Sequence, residues 1–341
     1  MHIINYINKN KDKSFKELKF NECDALVFSL ISYIEFKEDN LLLKDAVKKI
    51  NKKIVTRFDK ENIELINVLA KSLRYQNIVI SNTKKIISKT TQFGATTIRV
   101  PHTLTFISFE GTGDLLVGWE EDMRLAYEYP VEAQQLAVEY LNKALKITDF
   151  KVFVGGHSKG GNLAMTAYLN SNLKTRLRIK KVYNFDGPGF LPEIINSNKY
   201  KRLSKKIISY YPKESVVGMC LENKAEQKII KSRKHKIEQH DAYNWYIDNN
   251  IFVLDKLSDY SKIMHKKTLK IINSYTKEQL MLFTKTFFNL LYNSGYTKKS
   301  ELRKLNIAKL RNIIKGATNL SEDERKLIVD LFKVLFMKEK E

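Results

Sequence analysis

Two cysteines in 341 residues, Cys23 and Cys220, are too few and too far apart to frame a disulfide network or a redox pair. The chain therefore reads as a protein of a reducing compartment, cytoplasmic and without disulfides. Long hydrophobic runs are also missing. No stretch approaches the ~18 apolar residues that a membrane span requires. The longest run, Ala25 to Ile34, is interrupted by Ser29 and Ser32 and reads as core. The first ten residues lack the apolar block of a secretion signal. No group of His, Cys and Asp has metal-ligand spacing, and the pairs Gly155-Gly156 and Gly160-Gly161 lack the spacing of a phosphate loop. No metal and no nucleotide cofactor is expected. Helix-turn-helix, zinc-finger and RNA-binding signatures are absent as well, so no specific nucleic acid is expected as a partner.

Acidic residues are scarce relative to basic ones, 38 against 60, for a net charge of +22. Lysine, asparagine and isoleucine abound throughout, as in proteins from AT-rich genomes, and this accounts for most of the imbalance. The stretch Lys199 to Lys236 stands out, with twelve basic residues against Glu214, Glu222 and Glu226. Such an excess suits an anionic head group or a peripheral contact with an anionic membrane surface.

What the chain does contain is centred on residues 151–169. Lys151 to Val154 reads as a short strand and Asn162 to Leu169 as a helix. Between them Gly156-His157-Ser158-Lys159-Gly160 fits G-x-S-x-G. A serine on so sharp a strand-to-helix turn has strained backbone and an outward hydroxyl, and the glycines leave room for the neighbouring strand and helix. A serine that merely caps the helix would not need glycine on both sides.

Around this turn the hydrophobic period changes twice. Residues 15–74 carry apolar side chains at helical spacing, in Phe20 to Phe36, Leu41 to Ile50 and Ile63 to Leu73. From Ile78 the pattern is that of strands: Ile78 to Ile80, Gln92 to Val100, Thr103 to Phe109 after a tight turn at Pro101-His102, then Lys181 to Phe185 and Lys206 to Tyr211. A helix is expected from about Pro130 to Leu145. Alternating strands and helices predict an α/β fold, a mostly parallel sheet with helices on both faces. After residue 250 the strand signal ends. Capping boxes at Thr276 to Gln279 and Ser321 to Glu324, punctuation at Gly295 and Gly316, and a stripe of Leu280, Phe283, Phe287 and Leu291 predict a helical appendage. The expected division is 1–250 for the α/β domain with its N-terminal helices and 251–341 for the appendage.

A serine hydroxyl needs a base. Three histidines follow Ser158. His265 falls in a predicted surface helix. His235 sits among Arg233, Lys234 and Lys236, which oppose a second positive charge. His240, expected in a loop at the start of an aromatic helix, has the right order and setting. The acid that orients it is Asp186, which ends a strand, or Glu214, which follows the next one. Oxyanion donors would be the backbone N–H of Lys159 and Thr112, with Asp122 holding the Thr112 hydroxyl. His157 should point away from the serine.

The segment from Phe109 to Asp122 resembles the oxyanion segment of class 3 lipases, with Glu110 where those lipases commonly carry arginine. Gly156 to Ala164, Tyr183 to Phe190, Ser215 to Met219 and Gln239 to Asp241 together resemble the Mbeg-like α/β-hydrolase family of bacteria, over roughly residues 20–250. The resemblance implies an α/β-hydrolase fold and a serine hydrolase or lipase-like activity. It makes Ser158 the nucleophile, His240 the base and Asp186 the acid, whereas the lipase pattern favours Glu214. The expected substrate is a small-molecule or lipid ester. A non-catalytic binding or scaffold protein on the same fold is the alternative. Oligomeric state has no signal in the sequence.

Overall fold

The chain is described here by a computed structural model of residues 1–50, 59–149, 151–304, 321–322 and 325–326. Its centre is an eight-stranded sheet made of β1 (Leu41–Leu42), β2 (Val79–Ile87), β3 (Gln92–Val100), β4 (Leu104–Phe109), β5 (Val152–His157), β6 (Ile179–Phe185), β7 (Ile207–Pro212) and β8 (Glu226–Ile230). The strands lie in the sheet in the order in which they occur in the chain. β1 to β4 are antiparallel neighbours, and β4 to β8 are parallel. A small hairpin of β9 (Ile247–Asp248) and β10 (Ile251–Phe252) follows.

The helices are α1 (Ile3–Asn10), α2 (Glu22–Ile31), α3 (Leu43–Ala46), α4 (Asp59–Ala70), α5 (Leu116–Arg124), α6 (Glu132–Ala144), α7 (Lys159–Asn170), α8 (Leu173–Arg178), α9 (Pro192–Ile195), α10 (Asn198–Leu203), α11 (Asp259–Asn273) and α12 (Lys277–Asn293). Strand alternation splits the core into two layers. In β4, Leu104 and Phe106 face one cluster, with α1, α2 and α4. Ile107 and Phe109 face the other, with α6 and α7. This two-sided burial is why β4 reads as an unbroken apolar run. The architecture is an α/β fold, a mostly parallel sheet with helices on both faces, followed by a helical C-terminal part.

The helix expected over Leu41 to Ile50 is formed only from Leu43 to Lys49. Leu41 and Leu42 instead pair with Ile80 and Val79, and α3 plus a 3-10 turn occupy the rest. Edge pairing overrides the helical spacing there. The region after His240 is not an aromatic helix either. It is two 3-10 turns, Lys236–His240 and Ala242–Asn244, leading into the hairpin, with Trp245 and Phe252 packed on Phe185. The strand pattern thus continues to Phe252. The long helix expected from Pro130 begins at Glu132. α5 and β8 add two elements that the hydrophobic pattern does not announce. β8 is a half-exposed strand of Glu-Gln-Lys-Ile-Ile at the end of the sheet.

In the C-terminal part, the α12 capping box at Thr276 and Gln279 forms. Gly295 ends the helix at φ 83°, the left-handed conformation that glycine takes without strain. Phe287, Phe288 and Leu291 pack on Leu116 of α5, beside Trp119 and Met123. Gly316 and the later half of the capping box at 321–324 lie outside the described residues. Among the described residues no helix is long and apolar enough to cross a membrane, and both cysteines are free thiols.

Candidate active site

Parallel pairing brings three strand ends together. His157 at the end of β5 is in register with Phe185 at the end of β6, and Phe185 with Tyr210 of β7. The residues that follow these ends, Ser158, Asp186 and Lys213 onward, therefore emerge along one edge of the sheet. Ser158 has φ 60° and ψ −135°, a strained conformation for a residue with a side chain, and its N–H donates to Phe185 O at 2.9 Å. A Cβ on Gly156 would lie 2.3 Å from the Gly160 backbone, and one on Gly160 would lie 2.1 Å from Phe109 O. The turn can close only with glycine at both positions.

Ser158 Oγ lies 2.9 Å from His240 Nε2, and His240 Nδ1 lies 2.7 Å from Asp186 Oδ2. Ser158 is 8% exposed, His240 2% and Asp186 0%. The structure brings these three together. Glu214 is turned elsewhere: it accepts from the Lys236 N–H and from Gln239 Nε2, and stands 3.7 Å from His235. His235 is largely exposed, and His265 on α11 contacts Met219 O through Nδ1 at 2.6 Å.

His157 does point away from the serine. Its Nε2 lies 2.8 Å from His240 O and its Nδ1 3.0 Å from the Tyr33 hydroxyl. With the proton on Nε2, it donates to the His240 carbonyl and accepts from Tyr33, bracing the backbone of the base from below.

The loop after β4 passes directly over the serine. A Cβ on Gly111 would come within 3.0 Å of Ser158 Cβ. Thr112 follows, 4% exposed, and its hydroxyl donates to Asp122 Oδ2 at 2.6 Å. Lys159 is the first residue of α7, so its N–H has no acceptor within the helix. The side chain of Lys159 is buried as well. Its ammonium pairs with the fully buried Glu121, donates to Gln92 O at 3.1 Å and stands 3.9 Å from Asp122 Oδ1. Glu121 also accepts from the Thr91 hydroxyl and from the N–H groups of Gln92 and Ala133. Desolvation raises the Asp122 carboxyl to about 6, against the opposing pull of Lys159 and Thr112. Burial raises Glu110 too, although it is paired with Lys85.

Several supporting groups escape sequence reasoning. Asp186 Oδ1 accepts from the Ser215 hydroxyl at 2.5 Å and from the Gly218 N–H at 3.2 Å. The Ser215-Val-Val-Gly motif thus cradles the Asp186 carboxylate. Asn184 Oδ1 holds the Gly187 N–H, and Asn162 Nδ2 donates to Pro188 O and Gly189 O, so two buried amides fix the turn that carries Asp186. Glu121 was hidden in Trp-Glu-Glu-Asp, where only Asp122 draws attention. The C-terminal helices close over both sides. Ser261 of α11 donates to Ser215 O at 2.5 Å, while Tyr292 of α12 donates to Glu120 at 3.0 Å and the Lys299 N–H to Asp114 O at 2.7 Å.

Among the described residues no His, Cys, Asp and Glu group is arranged to hold a metal ion. The buried hydroxyl, imidazole and carboxylate in line can pass a proton from serine to histidine while the imidazolium is held by the carboxylate. A family model described as Mbeg1-like matches residues 69–289, more than half of the chain, a span that contains Thr112, Asp122, Ser158, Lys159, Asp186, Glu214 and His240. No curated protein matches the chain in sequence. Among solved structures, the crystal structure of M37 lipase is similar at 14% identity and TM-score 0.40, over 74% of this chain and 80% of that one.

Proposed function

The chain belongs to the Mbeg1-like family, and we propose that it is a serine hydrolase that cleaves an ester through an acyl-enzyme on Ser158. The observation that carries this reading is the unbroken line from Ser158 Oγ to His240 at 2.9 Å and from His240 to Asp186 at 2.7 Å, built on an elbow that only glycine permits.

Ser158 Oγ attacks the ester carbonyl while His240 Nε2 takes its proton. The carbonyl oxygen becomes an oxyanion within reach of the N–H groups of Lys159 and Thr112. Asp186 accepts from Nδ1 and stabilises the imidazolium. Collapse breaks the bond to the alcohol, which leaves with the proton from Nε2. Water then repeats the sequence on the acyl-serine, giving the carboxylic acid and regenerating the hydroxyl. Asp122 holds the Thr112 side chain so that its N–H keeps its direction.

A fluorescent fluorophosphonate, which reacts with activated serines, tests the reading. The wild type should be labelled and Ser158→Ala should not. His240→Ala should label slower by about three orders of magnitude or more, and short aryl esters should follow the same order. Folded wild-type protein that neither labels nor turns over any ester would leave a non-catalytic binding protein on this fold. Labelling that persists in Ser158→Ala would reject the nucleophile.

A further inference from the structure

The edge opposite the serine has a distinct chemistry. Segments 142–151, 172–181 and 198–206 lead into β5, β6 and β7, which are adjacent parallel strands, so all three meet at the amino-terminal edge of the sheet. Together they carry thirteen lysines and arginines and one acid, Asp149, whereas the whole chain has 60 basic residues to 38 acidic. Asp149 is not available to balance them, because it is buried and held by Arg99 at 2.7 Å; just before the first segment, Glu139 of α6 pairs with Lys143 at 3.7 Å and offsets one cation of the thirteen. General lysine enrichment does not remove acids from one edge, so the segregation is local.

The three segments are physically joined. The Arg178 guanidinium donates to Lys146 O and Asp149 O at 2.6 and 2.5 Å, and Lys206 Nζ donates to Ile179 O at 2.6 Å. Within this basic ring stand three apolar side chains left in solvent: Ile147 at 92% exposure, Leu173 at 61% and Leu177 at 67%. Leu173 and Leu177 are one turn apart on the same face of α8. Ile147 occupies the turn that Arg178 clasps. The run ends at β8, which begins with the exposed Glu226.

We infer that this edge docks on an anionic lipid bilayer, with Ile147, Leu173 and Leu177 inserted at the interface and lysines such as Lys146, Lys174 and Lys180 at the level of the phosphates. Cations alone would suit a nucleic acid. Apolar tips ringed by cations suit a surface that is anionic outside and apolar a few ångströms below. The basic stretch Lys199 to Lys236 is then divided: its first part belongs to this edge, and its later part flanks β8. Docked this way, Ser158 faces away from the bilayer. The inference does not depend on Ser158 being active.

Co-sedimentation of the full chain with phosphatidylcholine vesicles, with and without about 30 mol% of the anionic lipid phosphatidylglycerol, tests it. Binding should require the anionic lipid and weaken as salt rises. The variants Ile147→Ser/Leu173→Ser/Leu177→Ser and Lys146→Glu/Lys174→Glu/Lys180→Glu should each reduce affinity roughly tenfold or more. All six positions are exposed, and unchanged thermal unfolding would show that the variants fold. Duplex DNA at the same salt is the counter-probe. Binding to DNA lost in the lysine variant but kept in the apolar variant would overturn the proposal in favour of nucleic acid. Equal binding to neutral and anionic vesicles, or none to either, would also overturn it.

Discussion

The two loops that flank Ser158 are held by opposite means. On the oxyanion side, the segment after β4 is fastened by buried charge: Lys159 to Glu121, with Asp122 close by and bound to Thr112. On the acid side, the segment after β7 is fastened by neutral donors: the Ser215 hydroxyl and Gly218 N–H on Asp186, then Ser261 on the Ser215 carbonyl. Each suits its place. In the proposed mechanism, a second full charge beside Asp186 would compete with the imidazolium of His240. On the oxyanion side, carboxylates close to the serine would repel the developing negative charge unless an ammonium balanced them. The lysine inside the elbow supplies that balance.

The contrast is broken most severely by removing the ammonium. Lys159→Met keeps the backbone N–H and most of the side-chain volume but takes the closest cation from the fully buried Glu121, leaving it Arg124 at 3.7 Å. Denaturant unfolding should show a loss of about 3–5 kcal/mol, with esterase activity falling in whatever protein remains folded. A loss under about 1 kcal/mol, the size of an exposed pair, would mean that charge is not what fastens this side.

Ser215→Ala comes next. Asp186 loses one donor to a carboxylate, worth about 1.5–3 kcal/mol, so kcat should drop roughly tenfold with KM little changed, because the stabilised imidazolium forms only on the way to the acyl-enzyme. Ser261→Ala, one step further out, removes a neutral bond of about 1 kcal/mol and should cost activity only a few-fold. Equal effects of the two would deny that the acid's cradle is layered.

The smallest effect is a matter of pH. Asp122 has its carboxyl raised to about 6 by burial, facing Lys159, Glu121, Lys299 and the Thr112 hydroxyl. A carboxyl raised on folding binds its proton more tightly in the native state. Its contribution to stability is complete below about pH 4, the ordinary carboxylate range, and is lost as pH rises through about 6. Asp122→Asn should remove that part of the dependence of melting temperature on pH and make the acid limb of esterase activity shallower. An unchanged limb would place the whole of it on His240.

Much of this is legible in the sequence. The elbow announces itself because steric exclusion around a tight turn leaves a local mark, glycine at fixed spacing. β3 and β4 are visible because burial on both faces leaves apolar, β-branched runs. The choice between Asp186 and Glu214 was not legible. Both follow a strand, and only the neighbour relation of β5 and β6 decides which one meets the histidine. Glu121 and Ser215 were hidden for a similar reason. A buried carboxylate and a surface one have the same letter, and burial is a property of the assembled sheet. β8 carries polar residues on a half-exposed strand and so lacks the alternation that betrays others. Leu41 and Leu42 show the reverse, the start of a helical rhythm taken over by a strand partner about forty residues away, while Leu43 to Lys49 stay helical.

The strand order has a consequence for assembly. Because β1 to β8 line up as they occur in the chain, each new strand emerging from synthesis meets an edge already in place, and no strand waits for a later one to be threaded in. The line of proton transfer is finished in another rhythm. Ser158 and Asp186 can be positioned once β7 has been added, but His240 arrives only after β8, and Ser261 of α11 later still. A growing chain would thus hold Ser158 and Asp186 with no histidine between them, and under the proposed mechanism the hydroxyl would become reactive as one of the last events of folding.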